Sequence, residues 1–163
     1  MQINKELVLS WFEALATGNS SAALGMTHPD FRYFMPGTMP CSGWSDLEAF
    51  AELTQALSGL LAGPATMKFG DIVAEGDRVF FEAETEAPMK SGETYRNNYL
   101  FALRIKDGKI VEMKEFSDVL YVYQTFDVPA FRGPAKKVEG HLSNVTKVLV
   151  ATNMGVRPQG ATQ

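Results

Sequence analysis

Three short turns in the second half of the chain constrain the fold more than any other feature. They read AEGD (74–77), KSGE (90–93) and KDGK (106–109), and the residues between them alternate in polarity with a period of two. A polar residue followed by glycine is typical of tight hairpin turns, and period-two alternation is typical of strands with one buried face. The sequence therefore predicts four consecutive strands in an antiparallel meander.

The segment before Pro64 is helical in character. A stripe at helical spacing marks a first helix and comprises Ile3, Leu7, Trp11, Ala14 and Leu15. Ser20 or Ser21 caps a short second helix, and Ser-Asp-Leu-Glu at 45–48 has the form of a capping box that opens a third. Helices followed by a meander indicate an α+β domain whose sheet wraps around the helices to bury its inner face.

The chain divides into one domain and a C-terminal extension. Residues 1–126 contain the predicted helices and the meander, whereas residues 127–163 are interrupted by Pro129 and by Gly133-Pro134. The stretch NVTKVLVATN (144–153) predicts a late strand. We expect the extension to pack on the domain or to be partly disordered.

Composition excludes several classes of function. The 163 residues carry a formal net charge of −4 without a dense cluster of Lys or Arg, which argues against a nucleic-acid partner. No segment approaches the roughly 20 apolar residues that span a bilayer, and the N-terminus lacks a basic leader. Cys41 is the only cysteine, and the two histidines, His28 and His141, show no metal spacing. We expect a soluble cytoplasmic protein without a membrane partner.

The last predicted strand, within Lys106–Val119, carries an unusual carboxylate. One face presents Val111, Met113, Glu115 and Ser117, so Glu115 lies on an otherwise apolar face. The opposite face, with Glu112 and Lys114, has the polarity of a surface exposed to water. Burial would raise the pKa of Glu115 above its ordinary value of about 4.3, as a general acid or base requires.

The order of elements, together with TYRNNYLFALRIKDGKIVEMKEFSD (94–118), resembles the SnoaL-like branch of the nuclear-transport-factor-like (NTF2-like) superfamily. The resemblance extends to limonene epoxide hydrolases, SnoaL-type polyketide cyclases, phenazine-biosynthesis A/B proteins and, more distantly, ketosteroid isomerases. It implies a cone-shaped curved antiparallel β-sheet wrapped around three N-terminal helices, with a small-molecule pocket inside. It also implies function without cofactors and a homodimer through the outer sheet face, where Leu100, Ala102 and Phe116 lie.

The functional residues of these relatives transfer only in part. The aspartate base and the tyrosine of ketosteroid isomerases fall on Met35 and Trp11, which makes that chemistry unexpected. The Arg-Asp-Asp set of the epoxide hydrolases falls on Glu82, Glu84 and Glu115, and the two residues that hold their nucleophilic water fall on Arg32 and Phe34. The acid at Glu115 agrees with the phenazine A/B proteins, whose glutamate there is thought to act as an acid or base.

The orientation of Glu82, Glu84 and Glu86 stays open at this point. Alternation in RVFFEAETEA (78–87) places all three on the face opposite Phe81, toward solvent, whereas the resemblance directs Glu82 and Glu84 into the pocket. A strongly bent sheet carries bulges that change which face a residue occupies, so neither argument decides. If Glu84 meets Glu115, the two acids share a proton.

Candidate ligand contacts come from neighbouring positions. Asn97, Tyr99 and Phe101 share one strand face, on which Tyr99 can donate to a ligand oxygen and Asn97 can orient it. The remaining predicted substrate-binding residues are Glu82, Met113, Arg32, Phe34 and Trp44. Arg32 is the most plausible cation beside the carboxylates, with a surface position as the alternative. We predict no metal and no cofactor.

These observations predict a cofactor-independent acid/base enzyme that acts on a small, mostly apolar molecule by isomerisation, cyclisation, dehydration or hydrolysis. Its predicted catalytic residues are Glu115 and Glu84. The alternative is a non-catalytic protein that binds a small ligand in the same cone. A third possibility is a protein-interaction domain that uses the outer face of the sheet.

Overall fold

The computed structural model describes residues 2–142 and confirms the α+β class. The predicted late strand at 144–153 lies outside the described residues. The helices are α1 (Gln2–Ala16), α2 (Ser20–Gly25), α3 (Leu47–Ser58) and α4 (Val119–Thr125), followed by a single 3₁₀ turn, Pro129–Phe131. The strands are β1 (Thr27–Met35), β2 (Gly43–Asp46), β3 (Thr66–Glu75), β4 (Arg78–Pro88), β5 (Thr94–Lys106) and β6 (Lys109–Ser117).

The predicted meander is present as β3 to β6 in one six-stranded sheet of order β2-β1-β6-β5-β4-β3. All neighbouring pairs are antiparallel except β1 and β6, which run parallel. Asp107 and Gly108 both have positive φ, 51° and 70°, as a tight hairpin turn demands. The meander prediction was therefore correct, and β1 joins it along β6.

Three local predictions were wrong. The cap of α2 is Asn19, whose side chain accepts a hydrogen bond from the Ala22 N–H, and neither Ser20 nor Ser21 has this role. Ser45 does not cap α3, because the helix begins at Leu47 and its cap is Asp46, whose side chain accepts a hydrogen bond from the Ala49 N–H. In α1, Ile3 is 77% exposed, and the buried residues are Val8, Trp11, Phe12 and Ala14. The helix is thus rotated relative to the predicted stripe, with Phe12 packed against aromatic side chains of the sheet.

The core fills the concave side of the sheet, where α1 and α3 pack against the inner strand faces. Trp11 lies beside Phe12, Phe31 and Phe50, and its indole N–H donates to Thr27 Oγ1 at 2.9 Å. The Thr27 hydroxyl in turn donates to a backbone carbonyl of α2, so the buried indole N–H and the buried hydroxyl both have hydrogen-bond partners. None of the helices in the described part of the chain has the length and apolarity needed to cross a membrane.

The C-terminal extension contributes Val128 and Phe131 to the hydrophobic core, and its residues 139–141 pack on the outer face of the sheet near β2. Trp44 donates its indole N–H to the Gly140 carbonyl at 3.1 Å, and Lys114 donates to the His141 carbonyl at 2.6 Å. The His141 ring lies 5.5 Å from the rings of both Phe34 and Phe116. Residues 139–141 therefore cover an aromatic cluster on the outer face of β1, β2 and β6.

Candidate functional site

Glu115 points into the interior of the domain, as the alternation in β6 predicts. It lies opposite Phe101 of β5, and its Oε2 accepts a hydrogen bond from the Tyr33 hydroxyl at 3.1 Å. Tyr33 is itself buried on the inner face of β1. Glu115 as a whole is partly exposed, whereas its carboxyl group is surrounded by protein atoms.

Burial raises the pKa of Glu115 from 4.5 to about 7, and the hydrogen bond from Tyr33 opposes this shift only in part. Desolvation disfavours the carboxylate, since the interior replaces water poorly as a partner for a charge. Among the described residues, no ion pair reaches Glu115. The pKa of Tyr33 is raised well above its ordinary value by its own burial and then by the adjacent Glu115, so Tyr33 stays protonated and donates.

A second polar group lies on the inner face of β5. The Tyr95 and Tyr99 hydroxyls are 2.7 Å apart, and Asn97 Nδ2 donates to the Tyr95 oxygen at 2.9 Å. Burial raises the pKa of both tyrosines, and the charge of Glu115 raises that of Tyr99 further. The structure thus places Asn97 and Tyr99 on the interior side with Glu115. It also adds Tyr95, which the sequence reasoning did not select.

Two further predicted residues, Phe101 and Met113, form the apolar wall of this interior. Each is only 2% exposed, and the Phe101 ring stacks against that of Tyr99 with centroids 5.4 Å apart. Such side chains exclude water from the neighbouring carboxyl group, which is the physical cause of its raised pKa. Phe101 and Met113 are therefore core residues that border the site.

Glu82 and Glu84 do not face the interior that contains Glu115, contrary to the prediction. Both are exposed on the outer face of β4, where Glu84 lies 4.0 Å from Lys68, and Glu86 follows with an ion pair to Arg96 at 3.1 Å. The pairing of β4 with β5 runs without a bulge, so simple alternation holds and the inner face carries Phe81 and Ala83. Glu84 and Glu115 therefore lie on opposite faces and do not share a proton.

Arg32, Phe34 and Trp44 also lie outside the interior, contrary to prediction. Phe34 pairs with Trp44 across β1 and β2, and the Arg32 guanidinium sits 4.4 Å from the Trp44 ring while it contacts Glu112 at 3.2 Å. Inward positions of β1 are Phe31, Tyr33 and Met35. Tyr33, which contacts Glu115, was also missed, and the alternation of these three residues was the signal that could have found it.

The domain has a cavity of about 980 Å³ beside this interior. Its lining includes Thr85, Asn97, Asp118 and Tyr121, together with the outward-facing residues Lys68, Glu84, Glu86 and Arg96, and Glu115 is not part of it. Asn97 therefore belongs both to the cavity lining and to the polar group on the inner face of β5, where it donates to Tyr95. Within residues 2–142, no three His, Cys, Asp or Glu side chains are grouped as a metal site requires.

A curved sheet around helices, with an isolated acid and tyrosines inside, places this protein in the class of cone-shaped α+β domains. Residues 8–113 match the profile of the SnoaL-like domain, and the chain belongs to this family. No curated protein matches the chain in sequence.

Solved structures share the same fold. An NTF2-like protein from Burkholderia xenovorans has 23% identity and a TM-score of 0.63, with 78% of this chain and 98% of that chain covered. IdmH from Streptomyces antibioticus, a proposed polyketide cyclase, has 21% identity and a TM-score of 0.63, with 72% and 94% covered. AclR from Streptomyces galilaeus, a proposed hydroxylase, has 18% identity and a TM-score of 0.64, with 76% and 95% covered. At these identities the likeness establishes the NTF2-like fold alone.

Proposed function

We propose that the protein is a cofactor-independent acid/base catalyst that transfers protons on a small, mostly apolar molecule inside the cone. The observation that carries this proposal is the environment of Glu115, which combines a buried carboxyl group with a single hydrogen bond from Tyr33. With a pKa of about 7, Glu115 is present as both acid and base near neutral pH. Proton removal and proton return by one group are then both accessible.

The chemistry requires a base, an acid and a partner for developing negative charge. The Glu115 carboxylate takes a proton from an acidic C–H or O–H group of the ligand and becomes the carboxylic acid. The electron pair left behind moves toward a ligand carbonyl, and the Tyr99 hydroxyl is the nearby group that can donate to the oxygen. Return of the proton from Glu115 to another ligand carbon completes an isomerisation. Its return to a ligand hydroxyl group that departs as water completes a dehydration, and its return to the oxygen of a second ligand carbonyl, which the carbon has attacked, completes a cyclisation.

The walls around Glu115 favour an apolar ligand with few polar groups. Phe101 and Met113 offer hydrocarbon and thioether surface, and Asn97 links this interior to the 980 Å³ cavity, because it lines the cavity and donates to Tyr95. IdmH, a proposed polyketide cyclase of the same fold, agrees with chemistry of this type.

Hydrogen exchange of a model ketone tests the proposal. 2-Tetralone has acidic hydrogens next to its carbonyl, and in D₂O their replacement by deuterium is followed by proton NMR. We expect exchange above the buffer rate, rising with pH through about 7 as Glu115 ionises. Glu115→Gln keeps the shape but removes the base, so the rate should fall to that of buffer.

The matched control is Glu52→Gln, an exposed carboxylate of α3 that is remote from the interior. It should exchange 2-tetralone like the unaltered protein. Equal exchange by the protein and its Glu115→Gln variant would contradict the assignment of Glu115 as the base.

A non-catalytic small-ligand-binding protein is the second candidate. It is favoured by the outward orientation of Glu82 and Glu84, which leaves Glu115 without the second acid that the resemblance implied. Saturation-transfer NMR that detects bound 2-tetralone, without exchange above buffer at any pH from 6 to 9, would support binding alone.

A further inference from the structure

The short helix α4 and its N-cap residue lie between two cavities. Asp118 and Tyr121 line the cavity of about 980 Å³, whereas Val119 and Tyr123, on a different face of the helix, line a second cavity of about 320 Å³. Of the described residues that line these two cavities, none is Glu115. A ligand held in either cavity therefore does not touch the carboxyl group.

Tyr121 lies between the larger cavity and the polar interior. Its ring stacks on that of Tyr95, with centroids 5.3 Å apart and planes inclined by only 2°. Tyr95 is 4% exposed and does not line the cavity, whereas Tyr121 does. Phe126 contacts the Tyr95 ring edge-on at 4.8 Å. The Tyr121 ring is thus the aromatic surface that covers Tyr95 on the side of the cavity.

The polar side chains behind Tyr95 lead to Glu115. The Tyr95 and Tyr99 hydroxyls are 2.7 Å apart, and Glu115 accepts a hydrogen bond from Tyr33 at 3.1 Å. Burial raises the pKa of Tyr95 and of Tyr99, and the charge of Glu115 raises both further, so the carboxyl group lies within electrostatic reach of each hydroxyl. Displacement of the ring that covers Tyr95 would uncover this group of side chains.

Few strong contacts hold α4 in place. Within this helix only Val122 is buried. The two hydrogen bonds between Asp118 and the Asn97 side chain are both 3.4 Å long, and the Tyr121 hydroxyl accepts from the Arg96 N–H at 3.5 Å. These distances exceed the usual range of about 2.7 to 3.2 Å. A helix of seven residues is also too short to be stable without tertiary contacts, so local opening costs less than global unfolding.

We propose that Tyr121 is a gate residue: movement of α4 lifts its ring from Tyr95 and opens a passage from the cavity of about 980 Å³ to Glu115. This inference rests on the proposed function for the site that a ligand has to reach, and it adds the route. Tyr121 takes no part in the proton transfer, and it controls how fast a small molecule arrives at the carboxyl group.

Covalent labelling of Glu115 measures access without requiring catalysis. Dicyclohexylcarbodiimide is a neutral, apolar reagent that adds to a protonated carboxyl group, and the adduct rearranges to a stable N-acylurea. At about pH 6, Glu115 with its pKa of about 7 is mostly protonated, whereas an ordinary glutamate is ionised. Mass spectrometry of proteolytic peptides then gives the labelling rate at Glu115 alone.

Three variants of α4 separate the ring of Tyr121 from the rest of the helix. Tyr121→Ala should raise the labelling rate of Glu115 about fivefold, the change in population expected when one aromatic pair is lost. Tyr121→Phe keeps the ring and loses only the long hydrogen bond from the Arg96 N–H, so it should label like the unaltered protein. The matched control is Tyr123→Ala, which removes a ring that is 39% exposed and lines the smaller cavity, and it should leave the rate unchanged.

Global unfolding is the alternative route to labelling, and urea separates the two routes. Local opening exposes little surface, so the rate in Tyr121→Ala should stay nearly constant in urea below the unfolding transition. Three results would overturn the gate. They are a rate in Tyr121→Ala that rises steeply with urea, a Glu115 that is labelled no faster in Tyr121→Ala than in the unaltered protein, and an equal or larger acceleration by Tyr123→Ala.

The labelling result is separate from that of the 2-tetralone exchange assay. Labelling of Glu115 that depends on Tyr121, without exchange above buffer, refutes catalysis and leaves the gate standing. Exchange that is lost in Glu115→Gln, with labelling that is independent of Tyr121, supports catalysis and refutes the gate.

Discussion

Replacement of Glu115 by Gln should stabilise the folded protein at alkaline pH and have little effect at acidic pH. The folded-state pKa of about 7 exceeds the ordinary value of 4.5, so the folded state binds the proton more tightly than the unfolded chain does. The contribution of Glu115 to the free energy of unfolding is therefore greatest below pH 4.5. It is lost as the pH rises through 7, because folding then requires burial of the charged carboxylate. Gln cannot ionise and escapes this loss.

The magnitude follows from the two pKa values. A shift from 4.5 to about 7 corresponds to a maximal destabilisation of about 3 kcal/mol once both states are ionised. By the same linkage relation, less than about 1 kcal/mol of this is already lost at pH 5 and nearly all of it at pH 8.5. The stability difference between Glu115→Gln and the unaltered protein should thus grow by roughly 2 kcal/mol across this range.

Urea denaturation at pH 5 and pH 8.5 measures this difference. Every other titrating group is common to both proteins, so its contribution cancels in the comparison. The Gln amide oxygen can still accept the hydrogen bond from Tyr33, which keeps the geometry of the site. A stability difference that stays constant, or that shrinks with rising pH, would refute the view that desolvation controls Glu115.

Two further predictions concern the outer face of the sheet. We expect a homodimer that pairs through this face, where Phe80 and Leu100 are 44% and 46% exposed. Sedimentation equilibrium should give a dimer at micromolar concentration and a monomer for Phe80→Glu. A dimer that persists in this variant would exclude the face as the interface. Glu112→Gln should lower the free energy of unfolding by about 3 kcal/mol, because Glu112 is 3% exposed and paired with cations. Glu84→Gln, which breaks only an exposed pair with Lys68, should change it little, and equal losses in the two variants would contradict this reasoning.

Local patterns in the sequence were sufficient to predict the meander and the inward orientation of Glu115. The turn at Asp107-Gly108 sets the register of β5 and β6, and alternation from Met113 onward then places Glu115 on the inner face. The same alternation failed at Ile110, which is fully buried although the pattern placed it with the polar residues. An irregularity in the pairing of β5 with β6 near Ile110 changes the face there, and nothing in the sequence marks it.

Transfer by resemblance was less accurate, because an error of one residue moves a side chain to the other face of a sheet. Arg32 and Phe34 were chosen as site residues, whereas the inward residue is Tyr33 between them. On β4 the transferred positions Glu82 and Glu84 also fall on the outward set. In both strands the simple period-two pattern was correct, since β4 pairs with β5 without a bulge and the last residues of β1 keep their alternation.

The burial of polar residues on the outer face could not be predicted from the strand itself. Glu112 and Lys114 are 3% and 7% exposed, although their strand pattern indicates contact with water. Lys114 is covered because its ammonium group donates to the His141 carbonyl, a contact across 27 residues of sequence. A period-two pattern describes which face a residue occupies, but only the tertiary structure decides whether that face is covered.

Glu112 and Glu115 show why the environment of a carboxylate, more than its presence, supports a chemical role. They are three residues apart on one strand and therefore face opposite sides of the sheet. Glu112 contacts Arg32, Arg78 and Lys114 at 3.2 to 3.7 Å, so its charge is balanced by cations and serves the packing of the outer face. Glu115 meets a neutral hydroxyl and apolar walls, which hold its pKa near 7. Because desolvation brings the pKa of Glu115 near neutral, its carboxyl group can both release and take up a proton there, as a general acid or base must.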